Sequence, residues 1–175
     1  DRKKQPKDSY TAGNSIYAGY IATEYYPVAP LLVNLGVRYE ISKQWVDYYT
    51  DGGKAERSEL NKNDLFPSLN MKYQMNEKNS LRFAFSRTVT RPSFIEMAPF
   101  LYQESYGSAQ IRGNADLQNG YNYNIDLRYE LFEKNGDMLS ITAYYKHLKA
   151  PIERVQTLSG GSAVHSFRNA DNGMA

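Results

Sequence analysis

Few residues in this 175-residue chain have the types and spacing needed for covalent chemistry. Asp126 and Glu130 could serve as a general acid and base. At i, i+4 on a strand, however, they stand about 13 Å apart, too far to share one reacting centre. His147 and His165 are the only two imidazoles, and neither has ligand-type neighbours at useful spacing. The chain has no Cys, so disulfides and thiolate metal sites are excluded. The reading is therefore non-enzymatic, with no catalytic, metal-binding or cofactor-binding residue. Binding chemistry is better represented. Tyr48, Tyr49, Phe100, Tyr102 and Tyr106 fall in stretches that read as long loops. Their rings could stack on the rings of a ligand; packing within the loops and anchoring at an interface is the competing and favoured role. Arg91 reads first as a strand-end cation at a rim and second as a direct ligand contact.

These residues are set among strongly alternating strands. From Tyr121 to Leu131 every second residue is apolar or aromatic (Tyr121, Tyr123, Ile125, Leu127, Tyr129, Leu131), while Asn122, Asn124, Asp126, Arg128 and Glu130 fall between them. That two-residue period defines a strand with one greasy and one polar face. The same pattern predicts strands over 10–26, 31–46, 64–75, 80–90, 121–131 and 138–149. A seventh begins near 162, in "SAVHSFRNADNGMA". Pro27 and Pro30 mark a tight turn, "NEKN" another, and Asn135-Gly136 a third of the type favoured in hairpins. Long loops are expected at "DYYTDGGKAERSELNKN", over 91–118 (where "RPSFIEMAPFLY" has room for one helical turn) and around Gly160-Gly161. Short and long connections alternate, so the fold class is all-β: an antiparallel up-and-down meander with tight turns at one end and large loops at the other.

Alternation alone also suits a soluble sandwich. Strand length argues for a membrane. Sandwich strands run about 5–6 residues, a bilayer needs about 9–11 at a steep tilt, and these run longer still. Aromatic placement argues the same way. Tyrosines number 16 and collect near strand ends, with aliphatics between. Tyr121 to Tyr129 spans roughly 19 Å of depth at that tilt, close to an apolar band about 25 Å tall with aromatic girdles at its edges. Negative mean hydropathy does not oppose this, because membrane strands average out to polar. The polar faces carry both charge signs, as expected of a lumenal wall of cross-strand pairs. Two cations fall on the apolar parity. Arg87 is expected to snorkel to the outer headgroups, and Lys43 lies near an outer end. The net charge of +2 gives no pull toward nucleic acid.

Several pieces taken together resemble the barrel of TonB-dependent outer-membrane receptors, particularly those typical of Bacteroidetes. They are "LRFAFSRTVTRPSF", "APF", "RGNADLQNGYNYNIDLRYELF" and "LSITAYYKHLKAPIERV", with "YAGY" and "NLGVRYE" upstream. The matching positions are Ser86, Arg87, Arg91, Pro92, Gly113, Asn114, Leu117, Tyr129, Glu130, Tyr144, Tyr145, Lys146, Ile152 and Glu153. Pro92 would end strand pairing, and Gly113-Asn114 suits a turn with positive φ. The resemblance implies a location in the cell outer membrane and a plugged barrel of about 22 strands that imports a nutrient. Residues 1–175 would form part of that barrel domain, without the plug, the N-terminal coupling motif or the aromatic C-terminal strand. The implied partners are the TonB complex, the protein's own plug domain, outer-membrane lipid, a surface lipoprotein, and a ligand such as a siderophore, cobalamin, glycan or peptide. The competing readings are a non-transporting barrel for adhesion or structure and a secreted glycan-binding β-domain.

Overall fold

The computed structural model describes residues 9–50, 52–103, 109–159 and 162–174. Six long antiparallel strands form one sheet in chain order: β1 (Tyr10–Val28), β2 (Leu31–Tyr49), β3 (Ala55–Gln74), β4 (Asn79–Thr90), β7 (Gly120–Phe132) and β8 (Met138–Lys149). A two-residue strand, β11 (Gly173–Met174), pairs with Leu148 and His147 of β8. A second sheet of four short strands is built from the connections: β5 (Leu101–Tyr102), β6 (Gln110–Arg112), β9 (Ile152–Ser159) and β10 (Ser162–Asn169). One helical turn, α1 (Phe94–Met97), lies within the first of these connections, as expected.

One parity runs through all six strands. Thr23, Leu35, Leu69, Phe85, Ile125 and Tyr145 are successive cross-strand partners, and so are Leu31, Tyr73, Leu81, Tyr129 and Ile141. Side chains alternate along a strand, so the odd-numbered apolar residues share a face. That face is open: Ile21 is 81% exposed, Ile141 62% and Leu127 46%. A water-soluble core would bury them. Glu130 lies on the opposite face. Its carboxylate accepts hydrogen bonds from Ser80 Oγ and Arg82 Nε, each at 2.9 Å, and pairs with Arg128 Nε at 3.2 Å. The expected wall of cross-strand charge is therefore present.

Two expectations need correction. Residues 55–63 belong to β3, so β2 and β3 form a hairpin that, with β1 paired along it up to Tyr10↔Tyr48, rises beyond β4, β7 and β8. Their polar residues fill both faces there, which hid the strand. Ser162–Asn169 does not continue the main sheet: it pairs antiparallel with β9 and parallel with β6. The hairpin expected at Asn135-Gly136 is present, with β7 paired to β8 from Phe132↔Met138 onward, although its turn is not the mirror-image two-residue type, because among the described non-glycine residues only Ala150 has positive φ. Instead Gly136 alone takes φ 93, with Gly136 N donating to Glu133 O and Glu133 N to Asp137 O.

Candidate functional site

The tall β2–β3 hairpin has an inner, even-numbered face onto which the connection after β4 folds. Val46, Tyr48 and Leu60 of the hairpin bury against Met97 and Ala98, with Phe94, Phe100 and Ala12 packed alongside. Polar anchors fix the registry. Buried Gln44 donates through Nε2 to Pro92 O at 2.7 Å, and Ser58 Oγ donates to Ala115 O at 2.9 Å. Asn114 N donates to Glu96 O at 2.6 Å. Gly113 lies so close to α1 that a Cβ would meet Ala98 O at 2.2 Å and Ile95 O at 2.6 Å. The glycine is thus required by close approach, not by the positive φ expected from the sequence; the described glycines with positive φ are Gly53 and Gly136.

The second connection joins the first. Beyond the β6–β10 pairing, Asn114 Nδ2 donates to Phe167 O at 2.9 Å. Asn169 accepts from Gln118 N and returns a bond to Gln118 O, both at 2.8 Å, and also donates to Ala150 O at 2.9 Å. Together the two connections build a roof at the outer end of the strands.

The predicted ligand-contact residues separate under this geometry. Tyr48 and Tyr49 are in β2, not in a loop. Tyr48 is buried and its hydroxyl donates to Glu56 Oε2 at 3.3 Å; burial and then the Glu56 charge push its phenol above the ordinary value. Tyr49 projects outward. Phe100 stacks between Tyr10, at 5.6 Å, and Tyr102, at 6.0 Å. Arg91 donates to Glu40 Oε2 at 2.5 Å, and Arg38 Nε donates to Glu40 Oε1 at 2.6 Å, so Arg91 is held in the wall. Tyr106 lies outside the described residues.

Sequence reasoning missed a break in the wall. The β3–β4 ladder ends at Ser68↔Ser86, although β3 continues to Ala55 and β4 to Thr90. The next residue of β3 is Pro67, which has no N–H to donate; its presence within a strand was the available signal. Arg87 does not reach outward to headgroups as expected. It turns into the break, donating through Nη1 to Leu65 O at 2.6 Å and lying 4.4 Å over the Tyr121 ring and 5.7 Å from that of Phe66. Tyr121 Oη donates to Asp64 Oδ1 at 2.7 Å in the same place. The break opens into a cavity of about 390 Å³ lined by Arg38, Phe66, Ser68, Ser86, Arg87 and Thr88, among others.

A roofed sheet of long strands with a bare apolar face and a charged opposite face defines a segment of a membrane barrel. The chain belongs to the outer membrane protein β-barrel family, whose model matches residues 3–175. Its place is therefore the outer membrane, and its even-numbered face is the lumenal one. No curated protein matches the chain. Solved structures do. The Serratia marcescens hemophore receptor HasR, in complex with its hemophore HasA and heme, superposes with a TM-score of 0.71 at 13% identity, over 92% of this chain and 30% of that one. The siderophore receptor PirA from Pseudomonas aeruginosa gives 0.60 at 16% identity, over 94% and 38%. A mutant of the ferric enterobactin receptor PfeA from Pseudomonas aeruginosa, in complex with enterobactin, gives 0.58 at 17% identity, over 94% and 32%. The chain thus spans roughly a third of each of these receptors, and at such identities the likeness is one of fold.

Proposed function

We propose that the intact protein is a TonB-coupled receptor that imports a nutrient across the outer membrane, with residues 1–175 forming an internal segment of its barrel domain. The observation that carries this reading is the roof: two outer connections, paired with each other through β6 and β10, cover the lumenal end of a six-stranded membrane wall. A barrel serving only as an anchor has no need to pack its outer connections over its own lumen. The solved structures it resembles include a hemophore receptor in complex with heme and a ferric enterobactin receptor in complex with enterobactin, which favours an iron carrier or heme over a glycan, peptide or cobalamin. The Bacteroidetes sub-type rests on the sequence motifs alone.

Within this reading, Phe100, Tyr102 and Tyr106 are the ring contacts offered to ligand, while Tyr49 faces away from the lumen and Tyr48 and Arg91 support the wall. The plug domain, the TonB complex and a surface lipoprotein are partners of the whole protein. The role is transport, without catalysis. The test uses the full-length protein in a host lacking its own iron receptors, supplied with a ferric siderophore or heme as sole iron source. Growth that disappears when TonB is deleted is the expected result. Ligand capture without TonB-dependent uptake would instead favour the adhesive or structural barrel.

A further inference from the structure

One strand in the interior of the main sheet has an unpaired edge. β3 pairs with β2 without a shift from Tyr73 to Ala55, but with β4 only from Gln74 to Ser68. Backbone groups turn to alternate sides along a strand. Gln74 N donates to Pro30 O, on the β2 side, and Met75 N to Asn79 O, on the β4 side. Arg87 Nη1 reaches Leu65 O from the β4 side as well. Odd-numbered residues of β3 therefore turn N–H and C=O toward β4. Above the break, the backbones of Ala55, Arg57, Glu59, Asn61 and Asn63 have no hydrogen-bond partner on that side among the described residues. β1 and β8 are the outermost long strands of the described sheet, whereas β3 lies inside it with its neighbour present.

This edge stands above the membrane-spanning part of the sheet. After Thr90 the chain turns inward, and α1 and Ala115 cover the inner side of the hairpin, where Ser58 and Leu60 are buried. The outer side is open: the Arg57 and Glu59 side chains are about half exposed, and Asn61 and Asn63 are exposed. Access to the edge is therefore from outside. Free donors and acceptors recurring about every 6.8 Å match the repeat of an extended polypeptide. Long unpaired edges recruit further strands, and proteins blunt them with proline, bulges or inward charge. Pro67 lies below this stretch, and no register shift with β2 interrupts it. Glu56 and Lys62 put inward charge near its ends, but between them the inward residues are Ser58 and Leu60.

We propose that residues 55–63 of β3 are the docking edge for a partner protein outside the cell, which adds one extended, antiparallel segment to the sheet. β2 shows the complement required, because it pairs with the same residues from the other side: Asp47 faces Arg57, and Val46 faces Ser58. The partner's segment carries an acid beside Arg57 and a cation beside Glu59, and small or apolar residues inward beside Ser58 and Leu60. Main-chain bonds supply the affinity, and the alternate side chains supply the selection. The edge lies apart from the lumen, so the proposal does not rest on the transport reading.

The test is binding of a labelled synthetic peptide copying residues 42–50 to the intact protein in detergent. Saturable binding is expected. N-methylation of the peptide at the positions of Trp45 and Asp47, which turn toward the edge in the register β2 uses, should weaken it about tenfold or more. N-methylation at the positions of Gln44 and Val46 should leave it nearly unchanged. Asn61→Pro removes an edge donor without costing a bond to β2 and should also weaken binding about tenfold, whereas Asn61→Ala should not. The pair of methylated peptides keeps the test decisive if Asn61→Pro fails to assemble. In whole cells, a photoreactive residue in place of Asn61 should crosslink to a second protein, and excess peptide should suppress the adduct; the same residue in place of Lys134, at the opposite end, should give none. No saturable binding, or equal binding of the two methylated peptides, overturns the proposal. So does a crosslink that runs only into the receptor's own chain, which would make another segment of the intact protein the occupant. Absence of a peptide-suppressed adduct in cells overturns it too. Lost nutrient uptake with peptide binding and the adduct intact counts against the transport reading and leaves the edge standing.

Discussion

Arg57 grips the Asp47 carboxylate with two hydrogen bonds across the β2–β3 hairpin, from Nε at 2.5 Å and Nη2 at 2.8 Å, while its guanidinium lies 4.9 Å over the Trp45 ring. The arrangement stands beyond the membrane-spanning part of the sheet, on the outward face. The Asp47 carboxyl is held below its ordinary 3.8, first by the Arg57 hydrogen bonds and further by the Arg57 charge, with desolvation working the other way. A depressed carboxyl contributes stability above its unfolded value and loses it as pH falls through the lower folded value. Fluorescence from Trp45, the single tryptophan of this chain, should therefore hold steady from neutral pH down to about 3.8 and change only below it. Asp47→Asn should alter the neutral spectrum and abolish the acid transition; a neutral spectrum matching wild type would show that the pair does not order the hairpin.

The assignment of faces makes a sharper demand. Ile125 and Leu127 project from the apolar side at the middle of β7, while Asn124 faces the lumen and donates to Ser86 Oγ at 3.4 Å. Arginine facing lipid at mid-depth costs about 2–4 kcal/mol. Ile125→Arg or Leu127→Arg should sharply reduce the yield of folded protein in outer-membrane fractions, and Asn124→Arg should do so much less. Comparable yields would mean that the faces are reversed or that this sheet does not contact lipid.

Glu130 is 4% exposed and neutralises two cations on adjacent strands. Glu130→Ala leaves Arg82 and Arg128 opposed across β4 and β7, where they are direct partners. Both are almost half open to solvent, so screening keeps the loss to about 1–3 kcal/mol. The readout is the temperature at which the folded barrel's gel mobility shifts to that of the unfolded chain. Arg82→Met should lower that temperature less than Glu130→Ala does.

Gly113→Ala tests the roof without touching the wall. The new methyl would collide with backbone oxygens of α1 and its cap, and such overpacking costs about 1–3 kcal/mol. Protease added to intact cells should cut residues 91–119 faster in the variant. Gly19→Ala, where a Cβ meets nothing within 4 Å, is the matched control and should leave the cleavage rate unchanged.

What the sequence displayed depended on what each residue faces. β2, β4, β7 and β8 were legible because lipid on one side and a polar lumen on the other impose strict alternation. Beyond the membrane that pressure stops. Residues 55–63 pair as regularly as those below them, yet Glu56, Arg57, Glu59 and Lys62 present polar groups on both faces and read as loop. The roof was invisible for another reason: β6 and β10 meet over more than 50 residues of separation, by backbone bonds that leave no mark on residue pattern. Arg87 was correctly placed by parity and wrongly aimed, because parity assumes an unbroken ladder and Pro67 interrupts it. Of the ring candidates, Phe100 and Tyr102 do lie in a connection that packs over the lumen, whereas Tyr48 and Tyr49 were displaced by the same misread strand.

The pairing of β6 with β10 carries one more consequence. Each half of the cover is stitched to the other, so neither can swing aside by itself. Peeling back residues 152–169 strips β6 of its neighbour and Asn114 of its acceptor on Phe167. Lifting residues 101–118 exposes the inner flank of the opposite hairpin. In the transport role proposed above, admission of cargo would then be a concerted event, two flaps moving as a single door hung from four staves of the wall.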